Sequence, residues 1–442
     1  MKRFWVVLLT LGLITVFSTT VFALDVKFSG EYYAAGMYLD RASLIKDADP
    51  LSGTSTAFYF QRLRVRMDFV VSPGLTLVSR FDAMERAWGA ARSAPGTALA
   101  ADSAGTRAEN ENIAFDWVYV NYKSPIGIFD VGMMNDGATG TIFGDSYGPA
   151  ARIKYGNVFG PVKIGLAYTK VMDKSLTAIN PTTVTDNDRD KYGVVAEYTW
   201  KTGRAGMNIN YYRYADTRPT SNYKRNYFLF TPYATAKIGP VALQAEFNYL
   251  TGDQKYELPA VTPDRRLENM SGWVDATADF KVVYVGGSIA YVSGDDPSTT
   301  DKIEGGIING GRDWKPCLIM WNYDRTNWAG GLSGWNGTNQ DTAMANGWFA
   351  QGRVGVRPVS QLDIMASVSW AHAEKTPSAQ WESRDYGYEV DLTATYKITN
   401  NLSYMLGGGY LFTGDWYKGI NAAGTNQIQN DFMVINKLTL TF

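Results

Sequence analysis

Between Asp385 and Ile398, polar and apolar residues alternate with a period of two. Tyr386, Tyr388, Val390, Leu392, Ala394, Tyr396 and Ile398 share one face, and Asp385, Gly387, Glu389, Asp391, Thr393, Thr395 and Lys397 share the other. Successive side chains of a strand point to opposite faces, so this segment predicts a strand with an apolar medium on one side and water on the other. The same alternation sets Val241, Leu243, Ala245, Phe247 and Tyr249 against Ala242, Gln244, Glu246 and Asn248. It returns in Leu362, Ile364, Ala366, Val368 and Trp370. Segments of about ten residues of this kind, separated by turn residues, are what a transmembrane β-barrel requires.

The connections sort by length. One set is short: Ser72-Pro73-Gly74, Lys123-Ser124-Pro125, Asn157 to Pro161, Thr202-Gly203-Arg204, Gly239-Pro240, Pro358-Val359-Ser360 and Thr399-Asn400-Asn401. Lys281-Val282 joins this set although it lacks Gly and Pro. The other set is long and polar and includes residues 41–56, 88–111, 173–189, 253–271 and 295–344. Outer-membrane barrels combine short periplasmic turns with longer extracellular loops. Counting a first strand from Val26 to Tyr38 and a last from Asp431 to Phe442, the pattern predicts about eighteen strands, or sixteen without the Lys281-Val282 turn. The expected fold is all-β: a single antiparallel up-and-down transmembrane barrel over residues 24–442, wide enough for an aqueous lumen.

Residues 1–23 read as a cleaved signal peptide: Lys2 and Arg3, an apolar run from Phe4 to Phe17, and a small-residue site at Val21-Phe22-Ala23. Aromatic residues make up 14% of the chain, and the single cysteine, Cys317, forbids an internal disulfide. A large exported chain without staples then needs another source of stability, which a closed barrel in lipid supplies. The net charge of −1 points to no nucleic acid or acidic polymer. The single histidine, His372, removes histidine-rich metal sites and disfavours an enzyme, and no cofactor motif occurs. Cys317 reads as an incidental thiol, because no histidine is near it in sequence.

Charged residues on strand faces are the candidates for function. Arg62, Arg64 and Arg66 share a face opposite Leu63, Val65 and Met67. An arginine facing lipid at the midplane costs about 2–4 kcal/mol, so these three belong to the lumen. Arg80 extends the patch, with Asp82 beside it, and Arg152 and Lys154 are placed inward further on. Glu197, Glu246, Asp275, Asp279, Glu389 and Asp391 are expected on other interior walls. Segregated signs make a transverse field that selects by charge; mutually satisfied salt bridges are the alternative, and the two can coexist. Trp314, Trp321, Trp328 and Trp335 recur every seven residues in 295–344, where Pro316 and several glycines argue against a continuous helix. They read as loop packing, with sugar stacking or a plug at the mouth as alternatives. Three related motifs, ending at Asp253, Asp295 and Asp415, carry Ser or Thr, then Gly, then Asp. They are expected to close outward-running strands at the membrane boundary, with calcium at these aspartates as a minor alternative.

The chain ends Asn436-Lys-Leu-Thr-Leu-Thr-Phe442 and in this resembles Gram-negative outer-membrane proteins, whose assembly machinery recognises a C-terminal aromatic strand. The stretch from Asn135 to Gly148 resembles the inward-folded third loop of general diffusion porins. That resemblance implies Asp136 and Asp145 as an acidic constriction facing Arg62, Arg64, Arg66 and Arg80, and it implies a homotrimer. The strand count and arginine-rich early strand are also similar to the eighteen-strand alginate-export channels. The expected protein is a porin in the outer membrane of a Gram-negative bacterium, in contact with lipid and lipopolysaccharide. It would pass ions and small hydrophilic solutes by passive diffusion. A selective sugar or anionic-polysaccharide export channel, or a barrel scaffold sheathing an electron-transfer partner, are the alternatives.

Overall fold

The computed structural model describes residues 25–46, 55–89, 113–137, 139–144, 146–174, 187–218, 221–257, 261–306, 313–341 and 343–442. The export segment 1–23 and Asp145 lie outside the described residues. Eighteen long strands follow in chain order. The first nine are β1 (Asp25–Leu39), β2 (Thr56–Ser72), β3 (Leu75–Ala87), β4 (Ala114–Ser124), β5 (Gly127–Gly137), β6 (Ser146–Phe159), β7 (Val162–Met172), β8 (Arg189–Trp200) and β9 (Gly203–Tyr214). The second nine are β10 (Tyr223–Ile238), β11 (Val241–Tyr256), β12 (Arg265–Asp279), β13 (Val283–Val292), β14 (Gly347–Val359), β15 (Leu362–His372), β16 (Asp385–Lys397), β17 (Leu402–Thr413) and β18 (Asp431–Thr441).

Each strand pairs antiparallel with its neighbours in sequence, and β1 also pairs with β18, so the sheet closes into a barrel. At the seam the Gly30 N–H donates to the Phe442 carbonyl at 2.8 Å, and the Phe442 N–H donates back at 3.1 Å. A side chain at position 30 would collide with the Phe442 ring. The outer face is apolar: Val118, Val131, Ile153, Leu166, Val274, Ile289, Val368 and Leu392 are all exposed. Lipid replaces a protein core on that side, and closure leaves no strand edge unpaired within it.

All eight short turns form. Lys281-Val282 turns without Gly or Pro because Lys281 itself takes a left-handed φ of 73° and the Asp279 carboxylate accepts its N–H at 2.8 Å. Arg357 then ties Asp279 and the Lys281 carbonyl together. Eighteen strands, not sixteen, result.

Two local expectations change. The motif ending at Asp253 does not close its strand: β11 continues to Tyr256, with Gly252 opposite Tyr227 and Asp253 opposite Asn226. The motifs ending at Asp295 and Asp415 do follow strand ends. In β16, Tyr386 faces inward and is buried, out of phase with the exposed Tyr388. Gly387 adopts φ 114°, beside an irregularity in the β15–β16 register, and this reverses the alternation for one residue.

The segment between β13 and β14 folds into the barrel. Its helix α1 (Tyr323–Ala329) is capped by Asn322, whose side chain accepts the Arg325 N–H at 3.0 Å. Trp314, Ile319, Met320, Trp321 and Leu332 are buried in one cluster with Tyr33, Phe60, Phe349, Tyr386, Leu411 and Met433 of the wall. Trp328 stacks on Phe60 with ring centroids 4.7 Å apart, and the Trp335 indole N–H donates to the Gln427 carbonyl at 2.9 Å. The seven-residue tryptophan spacing therefore marks loop packing. It lies in the lumen, against β1, β2, β14, β16, β17 and β18.

Candidate pore lining

Strand alternation places Phe60, Arg62, Arg64, Arg66 and Asp68 on the inner face of β2. Their register partners on β3 are Asp82 opposite Arg64, Arg80 opposite Arg66 and Val78 opposite Asp68. Arg64 makes two parallel bonds of 2.6 Å to the Asp82 carboxylate. Arg80 donates to Asp116 at 2.7 Å while its guanidinium lies 3.5 Å from the Trp117 ring centroid. Arg66 binds Asp68 at 2.8 Å, and Arg62 stands 3.5 Å from Glu31 and 3.8 Å from Glu85. The arginine ladder is therefore matched, rung by rung, by carboxylates of its own wall. The Arg66 pair is partly exposed, where an ion pair contributes only about 0–1 kcal/mol, while Arg80 and Asp82 are buried and leaving either unpaired is costly. The pairing acts mainly on the field, turning a basic stripe into a row of dipoles.

The same holds further round. Lys154 meets Asp130 at 3.3 Å, and Asp136 lies 3.3 Å from Arg152 and 2.9 Å from Lys191. Glu197 accepts from Arg204 at 3.1 Å and from the Tyr233 hydroxyl at 2.7 Å. Asp275 pairs with Arg353 at 2.7 Å, and Asp279 with Arg357 at 3.0 Å. A small cavity of about 100 Å³ sits among Asn135, Asp136, Arg152, Lys191, Asn208 and Asn210.

The loop after β5 does turn inward, although Asp136 binds Arg152 and Lys191 and not the ladder of Arg62, Arg64, Arg66 and Arg80. Thr141 gives both its N–H (2.6 Å) and its hydroxyl (2.9 Å) to Glu246, and Arg204 donates to the Gly140 carbonyl at 3.1 Å. Phe143 packs on Trp273 at 5.9 Å and on Trp314 at 5.3 Å, so the two inward loops touch. Glu246, Glu389 and Asp391 thus face inward as the alternation predicts, but the loops cover them, and all three are buried. Glu389 accepts the N–H groups of Ile319 (2.6 Å) and Met320 (2.8 Å).

The sequence pattern alone does not single out Glu31, Asp68, Glu85 or Asp116. Asp68 carries a usable signal, since it continues the period of Arg62, Arg64 and Arg66. Asp116 carries none, because an irregularity at Arg80/Phe81 shifts its register. Among the described residues, Asp253, Asp295 and Asp415 join no cluster of three side chains close enough to share an ion. Asp295 instead accepts the N–H groups of Glu304 (2.7 Å) and Gly305 (3.3 Å).

The lumen therefore has two sides. The inserted segment fills the side of β1, β2 and β14–β18 with largely apolar packing, in which Glu389, Asp391 and the Arg325–Asp431 pair are buried. Paired charges line the side of β2–β9. A closed eighteen-stranded barrel with an apolar exterior and a charged interior is the architecture of the Gram-negative outer-membrane porins. Two solved Pseudomonas aeruginosa structures agree on the fold. That of Pseudomonas aeruginosa OccK11 (OpdR) is 12% identical, with 95% of this chain and 96% of that one covered and a TM-score of 0.50. For P. aeruginosa OccK5 (OpdH) the values are 12%, 95%, 98% and 0.50. The anion-selective porin from Comamonas acidovorans gives 12%, 95%, 99% and 0.46. No family profile matches the sequence, and no curated protein matches it.

Proposed function

We propose that the protein is a narrow outer-membrane channel that passes ions and small hydrophilic solutes passively along the β2–β9 side of its lumen. The observation that carries this reading is the division of the interior. Charged and hydroxylated side chains line one side, while the inserted segment packs against the other. Partly exposed cations on the polar side, Arg66, Lys154 and Arg204, each keep a carboxylate within 3.3 Å. Such a lining solvates small ions of either sign and holds neither tightly, which favours transit over binding.

The same division weighs against the other readings. Trp314 and Trp321 are buried in the inserted segment and offer no track for stacking sugars. The neutralised arginine ladder does not provide the uncompensated basic path that an anionic polysaccharide needs. A folded partner protein would have to displace the packed segment. Conductance of the purified protein in a planar bilayer tests the proposal: small ohmic steps with weak ion selectivity are expected. A well-folded barrel that conducts nothing would sink it.

A further inference from the structure

Cys317, Glu389 and Asp391 meet where the inserted segment presses on β16. One sulfur and two carboxylate oxygens, one from each residue, lie within 4.8 Å of one another. All three side chains are buried, with Glu389 0%, Asp391 3% and Cys317 3% exposed. Both oxygens of Glu389 accept backbone N–H groups, at 2.6 and 2.8 Å. Asp391 is less well served. The Leu318 backbone N–H and the Glu389 carboxyl lie beside it, the Ser367 hydroxyl stands 3.5 Å from its Oδ2, and its Oδ1 has no hydrogen-bond partner.

No ion pair to either carboxylate is formed among the described residues. Withdrawing a carboxylate from water without a counter-charge costs several kcal/mol, so two together call for a positive charge between them. The wall beside them is bare: a Cβ on Gly409 would stand 2.5 Å from Asp391 Oδ1 and 3.4 Å from Glu389 Oε1.

We propose that Cys317, Glu389 and Asp391 form a binding site for a borderline divalent cation of the zinc class, which pins the inserted segment to the barrel wall. One thiolate and two carboxylates suit such a cation, since sulfur disfavours magnesium and calcium. Metal–ligand bonds of about 2.0–2.3 Å require the three donors to close by roughly 1 Å. Water or the buried Ser369 hydroxyl completes a fourth position. On binding, the Sγ–H bond of Cys317 breaks, its electron pair forms the sulfur–metal bond, and the thiol proton leaves to solvent together with the proton that the two carboxylates share in the metal-free state. The site spans two elements, with the thiol on the inserted segment and both carboxylates on β16.

The test uses the purified folded chain, stripped with a chelator and titrated with Zn²⁺ or Co²⁺. About one equivalent should bind, and Co²⁺ should give a near-ultraviolet thiolate-to-metal band. Cys317→Ser should abolish that band, and Asp391→Asn should weaken Zn²⁺ binding by at least about tenfold. Heat-modifiable gel mobility checks that each variant still forms the barrel. Should Asp391→Asn not fold, wild type and Cys317→Ser decide the matter alone. Wild type that binds under about a tenth of an equivalent would overturn the proposal, because a proton shared by the carboxylates would then supply the charge. Stoichiometry and band unchanged in Cys317→Ser would overturn it equally.

Discussion

Thr141 is held by a single carboxylate oxygen: its backbone N–H and its hydroxyl both donate to Oε2 of Glu246, at 2.6 and 2.9 Å. Glycines on either side make this approach feasible. A Cβ at Gly140 or Gly144 would come within 2.5 Å of the Glu246 carboxylate. Hydrogen bonds to a charged acceptor contribute about 1.5–3 kcal/mol each. Glu246→Ala should therefore free the loop while leaving the barrel's strand ladders intact. Single-channel recordings should show larger or noisier conductance with unchanged thermal stability. Unaltered conductance would separate this loop from the solute path.

The arginine ladder makes a signed prediction. Replacing Arg62, Arg64 and Arg66 together by Ala removes three positive charges and leaves Glu31, Asp68, Asp82 and Glu85 without those partners. Reversal potentials in a salt gradient should move toward cation selectivity, most clearly at low ionic strength where screening is weak. Selectivity identical to wild type would mean that this wall does not border the path.

Trp321 anchors the inserted segment, with its ring 5.6 Å from Phe349 and 6.1 Å from Tyr386. Truncating a buried aromatic costs about 3–5 kcal/mol. In Trp321→Ala that cost should fall on the docking of the segment and spare the barrel. Protease cleavage within 293–346 and a higher conductance should appear together, with the barrel's melting temperature little changed. Loss of the barrel itself would show that the segment is needed for the fold.

Both ends of the inserted segment are gathered by its neighbour. Gly294 donates to Glu374 at 2.5 Å, Asp296 pairs with Lys375 at 3.0 Å, and Asn346 exchanges two bonds of 2.9 Å with the Lys375 backbone. The hydroxyl and N–H of Ser298, followed by Lys375, hold the Asp296 carboxyl well below the usual carboxylate range. For a depressed acid the contribution is complete above the ordinary value of about 4 and fades as pH falls through the lowered one. Hydrogen exchange near residue 294 should be faster in Asp296→Asn than in wild type by a constant factor from pH 7 to about 4. A difference already gone at pH 5 would contradict this assignment.

Much of the fold is legible in the alternation because strand faces obey a local rule of period two. The exposed Phe247 of β11 and the exposed Val390 and Leu392 of β16 lie on the face their parity predicts. The pattern fails where one residue breaks parity, as Gly387 does beneath Tyr386. The interior is legible in kind but not in contact. Parity marks Glu389 as inward, yet its partners Ile319 and Met320 lie about seventy positions away. Nothing periodic announces which loop will cover which wall. The tryptophan spacing shows the limit: it flags a segment with area to bury without saying where.

The inserted segment also lies across the seam. On one side it rests on Tyr33, Ala35 and Leu39 of β1, and on the other on Met433 and Ile435 of β18. Arg325 reaches Asp431 and Asp324 reaches Lys437, both on the last strand. The part of its docking surface formed by β1 and β18 is complete only when the first and last strands meet, so full docking requires the closed cylinder. Once seated, the segment bridges the join from within, like a rivet behind a weld.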